Sequence, residues 1–568
     1  MNIHFNDCVR LRDLRELVDH AVKNYGSRPG FREINAERVV TDHSFTDLKS
    51  DSEALAAKLR SEGMKGRHIA LLGETSYSYI VCYLATVNWV GVVVPIDKEL
   101  TTEDIVHLLK KSDVEGLFFS DSFSPEISMI LSECPEIRFA INMNPSENGG
   151  YYPSLDDFIA SGHSLMADGY TEFLSEPLDA DALCTILFTS GTTGANKGVM
   201  LCHRNLTACL FGAMSLFILP EKSFSVLPIN HSYEFNIDVL GSIYGGAILC
   251  INDSIKHVKE NLLEFSPQMS LMVPMIVEAL HRNIWKEAEK AHLTGHLKYG
   301  IWYSNFLRKI GIDKRRFFFL PILKNLGGKI TTIVCGGAPL NPALVRGFDD
   351  IGIHVYNGYG ITECSPLISS NSPIYDLPGS VGIPVPGCQV RIGEKSELGI
   401  GEILVKGENV MLGYYRDEEA TASTFTEDGW FMTGDLGYMN KKGVLYITGR
   451  KKNLIILSNG KNVHPEELEE HLARNISYIQ EVVVFAEKNS EGEDVIITAS
   501  AYLDPQFTGE VGMDRARQIF ESDVNRANKR IAVYKRIGQT MVEETEFEKT
   551  TTKKIRRNKV NKEGAKHA

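Results

Sequence analysis

The chain has 568 residues, of which 43% are hydrophobic, and a formal net charge of −13 at pH 7. A chain of this length exceeds what one hydrophobic core usually supports, so two or more domains are expected. The acidic balance argues against general nucleic-acid binding, and the composition is that of a soluble globular protein.

The cysteines and the N-terminal residues indicate a cytoplasmic protein. Ten cysteines are scattered without a Cys-x-x-Cys pair or a spacing typical of disulfide frameworks. This pattern favours free thiols in a reducing compartment. Residues 1–7 lack the basic region and apolar core of a secretory signal, so we expect no signal peptide.

Strand-like and helix-like segments alternate from residue 68 to residue 335. An apolar stretch at 79–95 is interrupted by Asn88 and Gly91, so we interpret it as an amphipathic helix at about 76–88 and a strand at 92–94, not as a membrane span. Further strands are predicted at 68–72, 114–119, 137–141, 225–228, 269–274 and 330–335. Such alternation predicts α/β layers with largely parallel sheets, which bind ligands beyond the carboxyl ends of their strands.

The character of the sequence changes twice towards the C-terminus. Glycines become dense from 381 to 449 and strands become short, as at 402–406, which predicts a small β module. Beyond Gly449, a helix at 465–472 and strands at 482–486 and 495–499 predict a separate α+β unit. We therefore expect an α/β protein with an N-terminal domain at 1–449 and a C-terminal domain at 450–568.

The most informative motif follows an apolar strand predicted at 184–188. It contains Thr189, Ser190, Gly191, Thr192, Thr193 and Gly194, whose side chains are no larger than threonine, and then Lys197. A glycine-rich, hydroxylated backbone of this kind approaches a polyphosphate closely and hydrogen-bonds it. The spacing differs from that of a P-loop, because Asn196 stands where the second glycine is required. The alternative is a flexible surface loop.

A second glycine-punctuated turn ends another predicted strand. It contains Asn357, Gly358, Tyr359, Gly360, Thr362 and Glu363. The tyrosine ring suits stacking on a purine, the threonine suits a phosphate, and the glutamate offers the hard oxygen ligands that Mg²⁺ prefers. Taken alone, a Gly-Tyr-Gly turn is more often structural than functional.

These two motifs resemble the phosphate loop Thr-Ser-Gly-Thr-Thr-Gly-x-Pro-Lys-Gly and the Tyr-Gly-x-Thr-Glu motif of the adenylate-forming superfamily. That superfamily comprises acyl- and aryl-CoA synthetases, adenylation domains of peptide synthetases and firefly luciferase. The resemblance spans about residues 30–560 and departs at Asn196, which replaces proline. It implies a large N-terminal domain of layered α/β subdomains plus a small β module, followed by a small mobile α+β C-terminal domain.

Further segments resemble other motifs of the superfamily, which imply roles for their residues. The matching residues are Gly336, Gly337, Ala338 and Pro339 in the loop lining the adenine and acyl sites, His231 beside the carboxylate substrate, Asp435 and Arg450 at the ribose and phosphates, Lys452 at the hinge between the domains, and Gly460 at the thiol tunnel. A lone histidine is more often structural, so His231 gains its weight from this context.

The basic segment 549–557 resembles the motif Pro-Lys-Thr-x-x-Gly-Lys-Ile-x-Arg, which carries the catalytic lysine of the superfamily. On that register the catalytic lysine is Lys554, and the spacing to Ile555 and Arg557 supports the assignment. Lys553 replaces the glycine of the motif and is the alternative ammonium for the site.

The resemblance implies a two-step reaction with ATP, Mg²⁺ and coenzyme A. A carboxylate attacks the α-phosphorus of ATP and pyrophosphate leaves, after which a thiol attacks the acyl-adenylate and AMP leaves. The phosphate-loop hydroxyls and Lys197 would bind the β- and γ-phosphates, and Glu363 would hold Mg²⁺. Lys554 would bridge the carboxylate and the α-phosphate.

The segment 297–329 resembles an insertion of long-chain fatty acyl-CoA synthetases. Two interpretations stay open for it, an ordinary core helix with a loop or a basic-aromatic patch that meets a membrane surface. Ser232 stands where amino-acid-activating relatives carry aspartate, which weakens a peptide-synthetase function. We expect a ligase that joins a medium- or long-chain fatty acid to coenzyme A. The alternatives are an acyl carrier protein ligase and an inactive nucleotide-binding regulator.

Overall fold

The computed structural model describes residues 4–35, 37–145, 151–190, 196–457, 462–488, 495–549, 555–557 and 559–560. The strands are β1 (Pro29–Ile34), β2 (Val40–Ser44), β3 (His68–Leu72), β4 (Val92–Ile96), β5 (Val114–Phe119), β6 (Phe139–Asn142), β7 (Leu183–Ser190), β8 (Asn196–Cys202), β9 (Lys222–Ser225), β10 (Ile248–Ile251), β11 (Met269–Met272), β12 (Thr332–Cys335), β13 (His354–Gly360), β14 (Leu367–Ser370), β15 (Ile383–Pro384), β16 (Cys388–Ile392), β17 (Gly401–Gly407), β18 (Gly413–Tyr414), β19 (Phe431–Met439), β20 (Leu445–Arg450), β21 (Ile455–Ile456), β22 (Asn462–Val463), β23 (Ile479–Lys488), β24 (Val495–Leu503) and β25 (Gln539–Glu543).

The α-helices are α1 (Leu14–Tyr25), α2 (Phe45–Ser61), α3 (Tyr77–Ala85), α4 (Thr102–Lys111), α5 (Ser124–Glu133), α6 (Leu155–Ala167), α7 (His203–Leu216), α8 (Leu240–Gly245), α9 (Val258–Phe265), α10 (Pro274–Lys290), α11 (Thr294–Lys309), α12 (Arg315–Phe318), α13 (Leu320–Lys324), α14 (Pro342–Asp350), α15 (Glu418–Ser423), α16 (Pro465–Asn475), α17 (Pro505–Val511) and α18 (Met513–Asn528). Two segments are π-helical, Thr86–Val90 and Tyr233–Val239.

The chain divides into two compact units. The first comprises Met1–Val390, Val405–Phe431 and Lys442–Val444, and the second comprises Arg391–Leu404, Met432–Lys441 and Leu445–Ala568. The expected class, a mixed α/β protein with a large N-terminal domain and a separate C-terminal domain, is confirmed. The boundary at residues 449 and 450 stays a prediction.

Two large sheets form the first unit. One has the strand order β15-β14-β13-β12-β11-β9-β10-β1-β2, and the other has the order β18-β8-β7-β4-β3-β5-β6. The central neighbours are parallel, including β11 with β12, β12 with β13 and β3 with β4, whereas β14 and β8 join antiparallel. The expectation of largely parallel sheets is thus confirmed. Because β12 and β13 are parallel neighbours, the residues that follow them lie at one edge of the sheet.

The second unit is built on smaller sheets. The four-stranded sheet β16-β17-β19-β20 has most of its residues there, and the three-stranded sheet β23-β24-β25 lies wholly within it. Apolar residues of α16 and α18, among them Leu468 and Phe520, pack with β24 residues such as Ala499 into one core. The helix predicted at 465–472 and the strands predicted at 482–486 and 495–499 are confirmed within longer elements.

Most of the strands predicted in the first half occur where expected, and β3 and β5 have the predicted bounds. The strand predicted at 225–228 is displaced, because β9 spans Lys222–Ser225 and shares only Ser225 with the predicted range. Pro228 offers no backbone N–H for a strand ladder, so the chain leaves the sheet before reaching it. This departure leads into the segment that carries His231.

The apolar stretch at 79–95 divides into helix and strand, as predicted. Its helix is not amphipathic, however, because nearly every side chain from Tyr77 to Val90 is buried. None of the helices in the described part of the chain has the length and apolarity that crossing a bilayer requires. The ten cysteines are free thiols, as expected, and nine of them are buried.

Candidate active site

The phosphate-loop motif forms a β-hairpin in the first unit. Strands β7 and β8 are antiparallel, with Thr189 opposite Lys197 and Ser190 opposite Asn196. The predicted ligands Gly191, Thr192, Thr193 and Gly194 and the side chain of Ser190 lie outside the described residues. Lys111 Nζ donates to the carbonyl oxygen of Asn196 at 2.5 Å and fixes the start of β8.

One tyrosine connects Lys197 of this hairpin with Glu363. Lys197 Nζ lies 4.6 Å from the ring centroid of Tyr414, and Tyr414 Oη donates to Glu363 Oε1 at 3.0 Å. Burial and the neighbouring Glu363 carboxylate raise the pKa of Tyr414 well above its ordinary value, so the phenol stays protonated and able to donate. Two predicted ligands from distant parts of the sequence thus lie on either side of one side chain.

The turn that carries Thr362 and Glu363 is a short 3₁₀ segment, Thr362–Cys364, just beyond β13. Both side chains are half-buried. The backbone N–H of Met411 donates to the carbonyl oxygen of Glu363 at 2.8 Å, which fixes the turn from a second direction. A single carboxylate here fits Mg²⁺, which proteins commonly hold through one or two carboxylates together with substrate phosphates and water.

A π-helix at Tyr233–Val239 connects the turn to the glycine loop after β12. Tyr233 Oη donates to the carbonyl oxygen of Val334 at 3.0 Å, and Asn236 Nδ2 donates to the carbonyl oxygen of Ser365 at 2.6 Å. His231 is half-buried and lies just before this helix. The helix thus brings the segment of His231, the glycine loop and the glutamate turn into one region.

The glycine loop itself is partly exposed. Gly336 is buried, and a methyl group on it would lie 3.2 Å from Cζ of Tyr233, whereas Gly337, Ala338 and Pro339 are exposed. Gly337 has a φ of +86°, a conformation that favours glycine. The loop can therefore present bare backbone to a flat ligand, as its expected role requires.

Not every residue of the second motif faces open space. Tyr359 is only 6% exposed, and Asn357 Nδ2 donates to the carbonyl oxygen of Ser380 at 3.3 Å. A methyl group on Gly360 would lie 2.1 Å from the carbonyl oxygen of Pro366, because β13 and β14 approach closely. Gly360 is thus required by the packing of two strands. The purine-stacking role of Tyr359 stays a prediction.

The π-helix also carries two buried carboxyl groups, Glu234 and Asp238, which contact serines of β9. Ser225 Oγ donates to Glu234, and Ser223 Oγ donates to Asp238 Oδ1 at 2.5 Å. Burial raises the pKa of Asp238 to about 7 and that of Glu234 well above its ordinary value, the neighbouring Asp238 adding to the second shift. Protonated carboxyls of this kind are compatible with a buried position, whereas two charges would not be.

In the second unit, Asp435 and Arg450 are paired. They are opposite each other on β19 and β20, and Arg450 Nε lies 2.9 Å from Asp435 Oδ1. The side chain of Asp435 is nearly buried. This carboxylate is therefore held on one side by a guanidinium, which orients its remaining oxygen.

The expected hinge residue Lys452 lies in a 3₁₀ turn, Lys451–Asn453. Burial, followed by the charges of Arg450 and Arg557, lowers the pKa of Lys452. Asn453 Nδ2 donates to Glu466 Oε1 at 2.7 Å. An aspartate at 453 would repel the Glu466 carboxylate, because both groups would be negatively charged. The neutral asparagine instead donates a hydrogen bond to it. Gly460 lies outside the described residues.

Lys553 and Lys554 also lie outside the described residues, but the segments that flank them are anchored. A β-bridge joins Lys549 to Ile555. Ile555 packs with the apolar cluster of Val483 and Phe485, and Arg557 forms an ion pair with Glu469. The spacing of Ile555 and Arg557 therefore coincides with real contacts on β23 and α16.

Sequence reasoning missed Tyr414, Tyr233 and Asn236. The dipeptide Gly413-Tyr414 carries no local chemical pattern, and its role arises only when β18 pairs with β8. The π-helix residues had a weaker signal, since they directly follow His231 and Ser232 in the sequence.

Known proteins resemble both parts of the chain. The profile of the family described as AMP-binding enzyme matches residues 18–415, and that described as AMP-binding enzyme C-terminal domain matches residues 452–567. Long-chain-fatty-acid–CoA ligase FadD15 of Mycobacterium bovis is 30% identical over 485 residues, which are 82% of this chain and 78% of that protein. The peroxisomal long chain acyl-CoA synthetase 7 of Arabidopsis thaliana is 28% identical over 498 residues, which are 82% of this chain and 70% of that protein.

Solved structures share the fold at lower identity. The anthranilate CoA ligase AuaEII in complex with anthranoyl-AMP superposes with a TM-score of 0.77 at 19% identity, over 97% of each chain. The adenylation domain of a carboxylate reductase from Mycobacterium chelonae superposes with a TM-score of 0.79 at 20% identity, over 98% of this chain and 90% of its own.

Replacing Gly360 by alanine should destabilise the first unit. The added methyl group meets the Pro366 carbonyl, and overpacking of this kind costs about 1–3 kcal/mol. Gly358→Ala is the matched control, because its methyl group would meet nothing nearer than Ser370 Oγ at 3.5 Å. The free energy of unfolding in urea measures both variants, and equal stability of the two would contradict the strand-packing explanation.

The buried Asp238 predicts a pH dependence of stability. Its pKa of about 7 exceeds the ordinary 3.8, so the folded chain binds more protons than the unfolded chain between these values, and stability falls as pH rises through 7. Asp238→Asn should reduce this fall by on the order of 1 kcal/mol between pH 5 and 8. Unfolding free energies at both pH values test this, with the exposed Asp156→Asn as control. An unchanged slope in Asp238→Asn would show that this carboxyl is not protonated in the folded chain.

Proposed function

Because the chain belongs to the family of AMP-binding enzymes, we propose that it activates a fatty acid with ATP and transfers the acyl group to coenzyme A. The observation that carries the proposal is the grouping of Lys197, Tyr414 and Glu363 beside the phosphate-loop hairpin. The similarity to long-chain-fatty-acid–CoA ligases over most of the chain supports the choice of substrate.

The chemistry explains why two steps are needed. A carboxylic acid is a poor acyl donor at neutral pH, because its leaving group is an oxide. Attack of the carboxylate on the α-phosphorus of ATP releases pyrophosphate and converts this oxide into AMP, and a thiol then attacks the acyl carbon and displaces AMP. Catalysis of the first step is largely positioning and neutralisation of charge.

We assign roles in this reaction to individual residues. Thr189, Ser190, Gly191, Thr192, Thr193, Gly194 and Lys197 bind the phosphates, and Glu363 would hold Mg²⁺, which would supply neutralisation of phosphate charge. Thr362 and His231 line the reacting end, and Gly336, Gly337, Ala338, Pro339, Asn357, Gly358, Tyr359 and Gly360 border the adenine and acyl groups. Asp435 and Arg450 bind the ribose and phosphates, Gly460 borders the thiol entry, and Lys452 is the hinge.

Lys554 is the proposed catalytic ammonium of the adenylation step. A cation that meets both the carboxylate and the α-phosphate stabilises the charge that shifts between them. The bridge of Lys549 with Ile555, the described residues on either side of this segment, supports the assignment. Two acceptors compete for the second step, because coenzyme A and acyl carrier protein present the same phosphopantetheine thiol.

We also propose that the protein contacts a membrane surface. Helix α11 exposes a row of aromatic side chains, with Tyr299 64%, Trp302 62% and Phe306 50% exposed, while Leu297 on its other side is buried. Phe317 of α12 extends the row and is 74% exposed. A ridge of large exposed rings is costly in water, and an interfacial membrane contact would cover it.

The charge around this aromatic surface favours anionic lipid as the partner. Residues 294–330 contain eight lysines and arginines and one acidic residue, in a chain whose overall charge is −13. Lys298, Lys309 and Lys314 are exposed and lie close in sequence to the aromatic residues. Basic residues near an anionic bilayer contribute about 1 kcal/mol each, and the fatty acid substrate partitions into the same surface.

Lys554→Ala should reduce the rate of fatty-acid-dependent exchange of labelled pyrophosphate into ATP by roughly 10²–10³-fold. The same variant should still form thioester from supplied acyl-AMP and coenzyme A, because the second step does not need this ammonium. Lys553→Ala is the matched control, and loss of exchange in that variant alone would move the role to Lys553. No exchange by the natural chain with any fatty acid of a graded series would favour the inactive regulator.

The same purified protein can be used to identify the thiol acceptor of the second step. Thioester formation from fatty acid and ATP is measured with coenzyme A and, in parallel, with purified acyl carrier protein. We expect coenzyme A to be the better acceptor. Faster loading of the carrier protein would replace the coenzyme A ligase by a carrier-protein ligase without changing the first step.

Replacing Trp302 and Phe317 together by serine should weaken sedimentation with phosphatidylserine vesicles by roughly tenfold, because two large apolar side chains lose their burial. Ile218→Ser, at an apolar position that is 81% exposed, is the control. Binding of the natural chain should fall with added salt and be weaker on phosphatidylcholine alone. If the double variant instead abolishes a concentration-dependent dimer and vesicle binding is absent, the aromatic surface joins two copies of the chain.

A further inference from the structure

Tyr414 lies between two oppositely charged groups that the proposed function assigns to the same ligand. Its ring faces the Lys197 ammonium at 4.6 Å, and its hydroxyl donates to the Glu363 carboxylate at 3.0 Å. We propose that Tyr414 is a positioning residue that holds this ammonium and this carboxylate apart and oriented for Mg²⁺–nucleotide. The inference rests on the proposed function, since it needs Lys197 and Glu363 to bind phosphate and metal.

The two charges would otherwise attract each other. A lysine and a glutamate at one site tend to form a direct ion pair, in which each would be withdrawn from the phosphates or the metal. In the described part of the chain, Lys197 and Glu363 are not paired with each other, and each contacts a different part of the same tyrosine. The face of an aromatic ring attracts a cation, and a phenol donates to a carboxylate, so one side chain satisfies both groups.

The tyrosine is itself held rigidly. Gly413 and Tyr414 pair with Met200 and Val199 of β8, and the backbone N–H of Tyr414 donates to Thr421 Oγ1 at 2.8 Å. The next residue continues this attachment, because the N–H of Tyr415 donates to the carbonyl oxygen of Gly198 at 2.7 Å. Since Lys197 is also on β8, the backbones that carry the ring and the ammonium are joined within one sheet. Glu363 is thereby placed with respect to the phosphate hairpin itself.

The hydroxyl and the ring have separable roles. The hydroxyl selects one orientation of the Glu363 carboxylate and leaves the other oxygen for the metal. The ring limits where Lys197 goes before the nucleotide arrives. Loss of the hydroxyl should therefore weaken Mg²⁺ binding specifically, whereas loss of the ring should also weaken binding of the nucleotide.

The test compares Tyr414→Phe with Tyr415→Phe in the full-length chain. Tyr415 is the matched control, because its hydroxyl donates to Asp113 at 2.6 Å and not to Glu363. Binding of ATP is measured by calorimetry over a series of Mg²⁺ concentrations, and fatty-acid-dependent pyrophosphate exchange is measured over the same series. Thermal unfolding of each variant is recorded in parallel.

Tyr414→Phe should raise the Mg²⁺ concentration needed for half-maximal ATP binding and exchange by roughly tenfold, the worth of a hydrogen bond to a charged group. Saturating Mg²⁺ should restore most of the exchange rate, which a general loss of folding would not allow. Tyr414→Leu should in addition raise the KM for ATP at saturating Mg²⁺. Tyr415→Phe should behave as the natural chain.

Three outcomes would overturn the proposal. One is a natural Mg²⁺ dependence in Tyr414→Phe, and another is an equal shift in Tyr415→Phe. The third is loss of ATP binding at every Mg²⁺ concentration in Tyr414→Phe, which would show a structural role only. If the natural chain binds Mg²⁺–ATP but shows no exchange with any fatty acid, the proposed reaction fails while the binding series still tests Tyr414.

Discussion

The pairing of the two-residue strand β18 with β8 is the contact on which the geometry of the candidate site depends. It attaches Tyr414 to the strand that carries Lys197, so the ring is fixed with respect to the phosphate hairpin. Through the phenol, the same contact reaches Glu363, which lies between β13 and β14 of the other large sheet of the first unit. A short strand at the end of one sheet thus sets the relation between a cation and a carboxylate from two sheets.

The π-helix between β9 and α8 is the second element that holds the candidate site together. Its extra residue per turn relative to an α-helix widens the turn, and such segments often mark functional sites. One side of it bonds the backbone at Val334 and Ser365, and the other buries Glu234 and Asp238 against serines of β9. Protonation reduces the free-energy cost of burying these carboxyl groups, so the π-helix is most stable when both are neutral.

The parts of the fold that depend on local pattern could be predicted from the sequence. The apolar runs of β3 and β5 and the glycine and hydroxyl motifs mark their own positions, since turns and buried strands follow from composition over a few residues. The place of β9 could not be predicted as well, because apolar residues continue past Ser225 into the segment that leaves the sheet. The buried surroundings of α3 come from packing on every side, which its own sequence does not specify.

The candidate site divides in the same way. Glu363, Lys197 and Gly360 are recognisable because they belong to short motifs, yet the reason for Gly360 is the carbonyl of Pro366, which a motif does not reveal. Tyr414 is invisible locally, since its contacts join segments far apart in sequence. A motif therefore names the groups that meet a ligand, whereas the residues that set the distances between those groups are defined by long-range pairing. Such residues need only pair through their backbone and donate one hydrogen bond. The sequence around them therefore contains no motif that identifies them.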